Sequence, residues 1–214
     1  MLGVGHTRGV NFLAHLYLAD PTPASMVGNL LPDLVPGPLS EALDPEVLAG
    51  AKNHKRVDAF TDTHPVFARS RARLRARHGR YSAILTDMFY DHVLAREWGR
   101  YSEEPLDDFI DRAHTALVDG TGLMPDPMRA ITSRMIEQDW LRSYASVDGM
   151  QCILKMMSAR FSKRLGRRVE LDHAVEALRI HGGEFADDFH EFFPELTEYV
   201  SRTASPTITE GLVP

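Results

Sequence analysis

The sequence predicts an all-α fold built as one helical bundle, and three observations carry that expectation. Apolar residues recur at three- and four-residue spacing along almost the whole chain. No stretch of alternating β-branched residues competes for a strand. The length, 214 residues and 24.0 kDa, suits one ordinary domain with a proper core, and no repeat, low-complexity tract or linker divides it.

The elements follow in order. Residues 11–19 and 24–35 carry leucines at helical spacing, and Pro36-Gly37-Pro38 ends the second. Asp44 followed by Pro45 is a cap-then-first-turn signal for a helix reaching about Thr61. Thr63 and Pro65 begin another, running through an arginine-rich stretch to Gly79. From Ser82 to Gly99, Leu85, Met88, Phe89, His92 and Val93 recur on one face. Pro105 opens a helix to about Val118, and residues 120–127 read as a loop. Helices are expected over 128–138, 147–163, 170–181 and 184–202, with Gly182-Gly183 as the last break. Residues 11–202 therefore form the domain. Residues 1–10 read as a disordered extension and 203–214 as a mobile tail.

Composition narrows the function. Hydrophobic residues make up 43% and charged residues 25%, as in a soluble globular protein. No apolar run approaches the ~18 residues of a spanning helix, and the N-terminus has no signal-peptide core. The single cysteine, Cys152, excludes an internal disulfide framework and an all-cysteine zinc site. The cytoplasm is the expected compartment. Acids outnumber Lys and Arg by 30 to 24, a formal charge of −6, which argues against nucleic acid as the main partner. The charge is unevenly placed, however. Six arginines and no acid lie between Arg69 and Arg80, and five bases and no acid between Arg160 and Arg168. Six acids with no Lys or Arg lie between Glu184 and Glu198.

Chemistry is carried by polar residues on apolar helix faces. Asn11 and His15 lie four apart, as do Asn29 and Asp33. His54, Asp58 and Asp62 follow at steps of four, and so do Asp87 and Asp91, with His92 adjacent. A step of four places two side chains on one helix face, so each helix can offer several ligands in one direction. Helical bundles build metal sites this way. Mixed His and carboxylate ligands without thiolate suit Mn²⁺, Mg²⁺ or Fe better than structural zinc. Each residue also has an ordinary alternative. Asp62 can equally cap the next helix, His54 lie on the surface, and Asp58 pair with Lys55 or Arg56. Asp91 and His92 can bond each other or a neighbouring helix. The coincidence on four helices favours the metal reading. In the arginine stretch, Arg69, Arg73, Arg77 and Arg80 share one face, either solvated or a docking surface for an acidic partner or a phosphate. Lys163, Arg164, Arg167 and Arg168 admit the same two readings, and Trp98, Trp140 and Tyr144 read as core aromatics.

The segments Asn11-Phe12-Leu13-Ala14-His15-Leu16 and Gly28-Asn29-Leu30-Leu31-Pro32-Asp33 resemble the opening of acyl carrier protein phosphodiesterases. His54-Lys55-Arg56-Val57-Asp58, Thr61-Asp62, Asp91-His92 and Trp140-Leu141 continue the resemblance in the same order, to about Val200. Here Val10 precedes Asn11 where the family often has Met, so translation is expected to start at Val10 and residues 1–9 to be dispensable. The resemblance implies an all-α, unusual and rearranged member of the HD-type metal-dependent phosphohydrolases. The implied activity is hydrolysis of the phosphodiester joining 4′-phosphopantetheine to the serine of holo-acyl carrier protein. The products are apo-carrier protein and free phosphopantetheine, and the implied metal is Mn²⁺. Carried over residue by residue, it implies Asp33, His54, Asp58, Asp91 and His92 as metal ligands and His15 as general acid. Arg56 is then expected to neutralise phosphoryl charge, Asp62 to orient a ligand and Asn29 to contact substrate. Carrier proteins of this type are strongly acidic, so Arg69, Arg73 and Arg77 are expected to receive the partner. Two rivals stand beside this reading: a phosphohydrolase of a small nucleotide or other phosphodiester, and a non-catalytic helical binding protein.

Overall fold

In a computed structural model, residues 11–35, 37–40 and 42–203 are described. The helices run in the order α1 (Phe12–Tyr17), α2 (Pro23–Leu34), α3 (Pro45–Thr63), α4 (Pro65–His78) and α5 (Ser82–Arg96). There follow α6 (Leu106–Asp119), α7 (Asp126–Glu137), α8 (Trp140–Ser143), α9 (Val147–Leu165) and α10 (Val175–Thr203). No strand occurs among the described residues. None of their helices is long and apolar enough to cross a membrane. The expected extension at 1–10 and the tail beyond Thr203 lie outside the described residues; Thr203 itself is still helical.

The starts obey local chemistry. The Thr22 hydroxyl accepts the Ser25 N–H ahead of Pro23, and an Asp44 oxygen accepts those of Glu46 and Val47 ahead of Pro45. His64, rather than Thr63, caps α4: its ring nitrogen accepts the Val66 N–H, while Asp62 and Thr63 remain inside α3. The two expected C-terminal helices form one run, interrupted where His181 leaves helical geometry (φ −111°, ψ 16°) just before Gly182-Gly183. Residues 170–174 hold only a 3₁₀ turn, Asp172–Ala174. The four-residue α8 was not legible in the sequence, being too short to show a period.

Helix α5 forms the centre of the bundle, with Leu85, Met88, Phe89 and Leu94 fully enclosed. Against it α10 lays Phe185, Phe189, Phe192 and Phe193, and Phe89 meets Phe185 edge-on with centroids 5.1 Å apart. Each such side chain contributes about 1.5–3 kcal/mol by leaving water. Trp98 and Tyr144 are core aromatics, and Trp140 stacks on Phe12.

Two contacts between helices stand out. Helices α2 and α3 pack more extensively than any other pair, because Gly28 and Gly50 let their backbones touch. A Cβ at Gly50 would lie 2.6 Å from the Ser25 carbonyl oxygen, and one at Gly28 would collide with that of Val47. Asn29 and Asp33 on α2 are thereby brought against His54 on α3. The second contact joins the arginine-rich α4 to the acidic α10. The buried Asp188 carboxylate accepts from Arg69 Nε (2.7 Å), Ser70 Oγ (2.5 Å) and Arg73, and Arg69 also meets Glu191.

Candidate metal centre

Three helices converge on one buried cluster. His15 comes from α1, Asp33 from the last turn of α2, and His54 and Asp58 from α3, one turn apart. The imidazoles of His15 and His54 stack with centroids 3.8 Å apart and planes 19° from parallel. Asp58 spans both rings, with Oδ1 3.3 Å from His15 Nε2 and Oδ2 3.1 Å from His54 Nε2. Asp33 Oδ1 lies 3.5 Å from His54 Nε2.

These approaches are close but poorly aligned. Both His15 nitrogens, His54 Nε2 and both Asp33 oxygens are buried without a hydrogen-bond partner. Such groups are costly to bury unless something else satisfies them. One ligand atom each from His15, Asp33 and His54 falls within 4.8 Å of the others. A divalent cation fits this donor set, since imidazole and carboxylate are ligands of the same borderline-to-hard ions. Asp58, whose side chain is 39% exposed, closes the cluster on its solvent side.

The supports are as specific as the cluster. His54 Nδ1 lies 2.7 Å from the Asn29 carbonyl, which can only accept, so the proton sits on Nδ1 and Nε2 faces inward. The Asn29 amide donates to the Ser25 carbonyl (3.0 Å) and accepts from Asn53 Nδ2 (3.0 Å). Asn53 in turn accepts from Arg56, whose other nitrogen donates to the Thr203 carbonyl at 2.7 Å. Arg56 and Asn29 thus brace the cluster from behind. On the opposite side, the buried Asp91 carboxylate accepts the Leu13 and Ala14 N–H groups, both at 2.9 Å. It ties down the first turn of α1, the helix that carries His15. His92 turns away, with Nδ1 donating to the Tyr144 carbonyl at 2.6 Å and Nε2 buried without a partner. Asp62 lies exposed one turn beyond Asp58.

Electrostatics separate the two stacked histidines. Burial and the neighbouring His54 charge lower the pKa of His15. Burial alone would lower His54 too, but the close negative carboxylates of Asp33 and Asp58 outweigh it and push it up to about 10. Asp58 is held well below the carboxylate range because both histidines outweigh its burial. Asp91 is raised to about 8, its burial outweighing the two N–H donors. Burial, followed by the charges of Asp58, Asp33, Asp62 and Asp91, holds Asp87 well above the usual range.

The sequence-level candidates thus divide. His15, Asp33, His54 and Asp58 meet in one cluster; Asn29, Arg56 and Asp91 support it; Asp62 stands at its rim and His92 faces another helix. Arg69 and Arg73 pair within the chain to Asp188, whereas Arg77 is exposed with no ion pair among the described residues. Asn53 and Asp188 escaped sequence reasoning. Asn53 could have been noticed only as the neighbour of His54, and Asp188 is one of six indistinguishable acids.

Comparison with known proteins shows the family. The pattern of the acyl carrier protein phosphodiesterase family matches residues 10–196. Similar proteins named acyl carrier protein phosphodiesterase come from Escherichia coli O6:H1 (strain CFT073), O157:H7 (strain EC4115) and strain K12 / DH10B. Each is 33% identical over 202 residues, covering 91% of this chain and 100% of the relative. No solved structure matches the chain. With the family pattern spanning every helix that contributes to the cluster, the chain belongs to the acyl carrier protein phosphodiesterase family.

Proposed function

We propose that this protein hydrolyses the phosphodiester between 4′-phosphopantetheine and the serine of holo-acyl carrier protein, at a centre holding Mn²⁺. The observation that carries the reading is the set of buried, unpartnered donor atoms of His15, Asp33 and His54 within 4.8 Å of one another. These three and Asp58 hold the ion, and the low pKa of His15 keeps its ring neutral, as a ligand must be. This reading moves His15 from proton donor to ligand. When bound, a divalent cation supplies positive charge for the phosphoryl oxygens and acidifies water to a nucleophile.

The chain's own residues orient and brace. The Asn29 carbonyl fixes the His54 tautomer, Asn53 and Arg56 hold Asn29, and Asp91 holds α1. Asp58 marks the open side, where the phosphodiester enters. The acidic carrier is received by arginines that form no ion pair among the described residues. Arg71, Arg75, Arg77 and Arg80 are exposed on and just after α4. Arg167, from the loop after α9, joins them, because it and Arg80 both donate to the Tyr81 hydroxyl. The compartment proposed is the cytoplasm, in keeping with a single unpaired cysteine.

The test is incubation of the purified chain with Mn²⁺ and holo-carrier protein, followed by mass measurement of the carrier. Conversion to the apo mass supports the reading. Hydrolysis of a small phosphodiester with no conversion of the carrier would give the substrate to the rival phosphohydrolase.

A further inference from the structure

The first three N–H groups of α1 are answered by other parts of the chain. Asn11, at the start of the helix, makes no side-chain capping bond. Asp91 accepts the Leu13 and Ala14 N–H groups, both at 2.9 Å, and the Phe12 N–H donates to the Tyr144 hydroxyl. A six-residue helix has little stability of its own. Its direction is therefore set by these bonds and by the burial of Phe12, Leu13 and Leu16. His15 comes directly after the last of the three anchored residues.

Tyr144 does more than fill the core. Burial, and then the charges of Asp91 and Asp33, hold its phenol well above the usual range, so a neutral hydroxyl stands within reach of the cluster. Its backbone is fixed from two sides. The Tyr144 carbonyl accepts from His92 Nδ1 at 2.6 Å, and His92 adjoins Asp91 on α5. From the other side α9 comes so close that a Cβ at Gly149 would lie 2.1 Å from the Ser143 carbonyl oxygen. Two neighbouring residues of α5 thus lead to the same turn of α1, Asp91 directly and His92 by way of Tyr144.

We propose that Tyr144 is a positioning residue for the metal centre: its hydroxyl, together with Asp91, fixes the first turn of α1 and so aims His15 at the ion, while His92 holds Tyr144 in place. The proposal rests on the reading of His15, Asp33 and His54 as metal ligands. His15 has little freedom to correct an error in α1, because its ring is buried and stacked on that of His54. A displaced turn therefore becomes a displaced ligand. Supports that orient a ligand in this way typically count for about 10–100-fold in metal affinity or turnover.

The test is Tyr144→Phe, which keeps the ring and removes the hydroxyl. The full chain, stripped of metal, is titrated with Mn²⁺ alone and the free ion read by electron paramagnetic resonance; kcat and KM are then measured on holo-carrier protein. Mn²⁺ affinity and kcat should each fall about tenfold or more, with KM unchanged within about twofold. Ser158→Ala is the control. It too takes a buried hydroxyl from a backbone N–H, that of Leu171 at 2.8 Å, where α9 meets the chain before α10. It should lower the unfolding midpoint and keep native Mn²⁺ affinity and kcat. Native affinity and kcat in folded Tyr144→Phe overturn the proposal, and so does an equal loss in Ser158→Ala or a rise in KM alone. No Mn²⁺ bound by the native chain overturns the metal centre itself, and the proposal with it. Amide exchange of the metal-free native chain decides where the variant fails to fold. Phe12, Leu13 and Ala14 should exchange as slowly as Met88 and Phe89 of α5, and exchange as fast as an unstructured segment overturns the anchoring.

Discussion

Asp33 and Asp188 are both aspartates with almost fully buried side chains on helices of the same bundle, and their surroundings are opposite. Asp188 accepts from one hydroxyl and two guanidinium groups, so its charge is fully answered within the chain. Neither oxygen of Asp33 has a hydrogen-bond partner, and the nearest nitrogen approaches it out of line. The first arrangement stiffens a fold by joining α4 to α10. The second leaves buried donor atoms unanswered, which the proposed cation would satisfy. Burial of charge is therefore no guide to function here until the partners have been counted.

The comparison can be broken most forcefully at the incomplete cluster. His54→Ala or Asp58→Ala should lower hydrolysis of holo-carrier protein by roughly 100-fold or more while far-UV circular dichroism stays native. Turnover near the native rate with Mn²⁺ present would sink the assignment. The satisfied network should respond the other way. Asp188→Asn is expected to cost about 2–3 kcal/mol in denaturant unfolding, because it strips charge from a buried acceptor of three donors. Asp33→Asn without metal should cost no more than about 1 kcal/mol, since no aligned hydrogen bond is lost. Equal costs at the two positions would erase the distinction.

Acidity sharpens it further. Burial would raise the pKa of Asp188, but Ser70, Arg69 and Arg73 together hold it below the ordinary 3.8. A lowered folded value gives stability that is complete above the ordinary value and lost as pH falls through the folded one. The gap between the native protein and Asp188→Asn should therefore close below about pH 4. His54 has the opposite sign. Raised to about 10, it is protonated in the metal-free protein at neutral pH, and an entering cation must displace that proton. Mn²⁺ affinity should climb about tenfold per pH unit between pH 7 and 9, with one proton released per ion bound at the histidine site. Calorimetry in buffers of different ionisation enthalpy measures that release, and a flat pH dependence would contradict it. The smallest effect is expected at the surface. Arg75→Glu with Arg77→Glu should raise the Michaelis constant for the carrier several-fold, more at low salt, and leave a small phosphodiester unaffected. An equal loss on both substrates would place these arginines in the site instead.

Much of this was legible in the chain. Four-residue spacing put His54 and Asp58 on one face of α3, and the Asp44-Pro45 and Pro36-Gly37-Pro38 signals bounded the helices near where they lie. Spacing could not separate a ligand from its support. Asn29 and Asp33 obey the same step of four, yet one binds neighbouring helices and the other points an unpartnered carboxylate inward. Asp91 and His92 are adjacent in sequence and serve different helices, because consecutive helical residues point about 100° apart. The arginine stretch showed the same limit. One face of α4 met the acids of α10, and no local pattern identifies the partner of Arg73 115 residues away.

The bond from Asp91 to the start of α1 reaches across 77 residues at its nearer end, whereas Asn29 meets His54 across only 25. The α2–α3 half of the centre is a near-neighbour structure, closed at small entropic cost. Fixing His15 requires a much longer loop to close, and that happens only when α5 has taken its place in the bundle. Competence is thereby tied to completion. A nascent or partly unfolded chain holds His54 and Asp58 without an anchored His15, so loss of turnover in denaturant should coincide with loss of the whole fold rather than precede it.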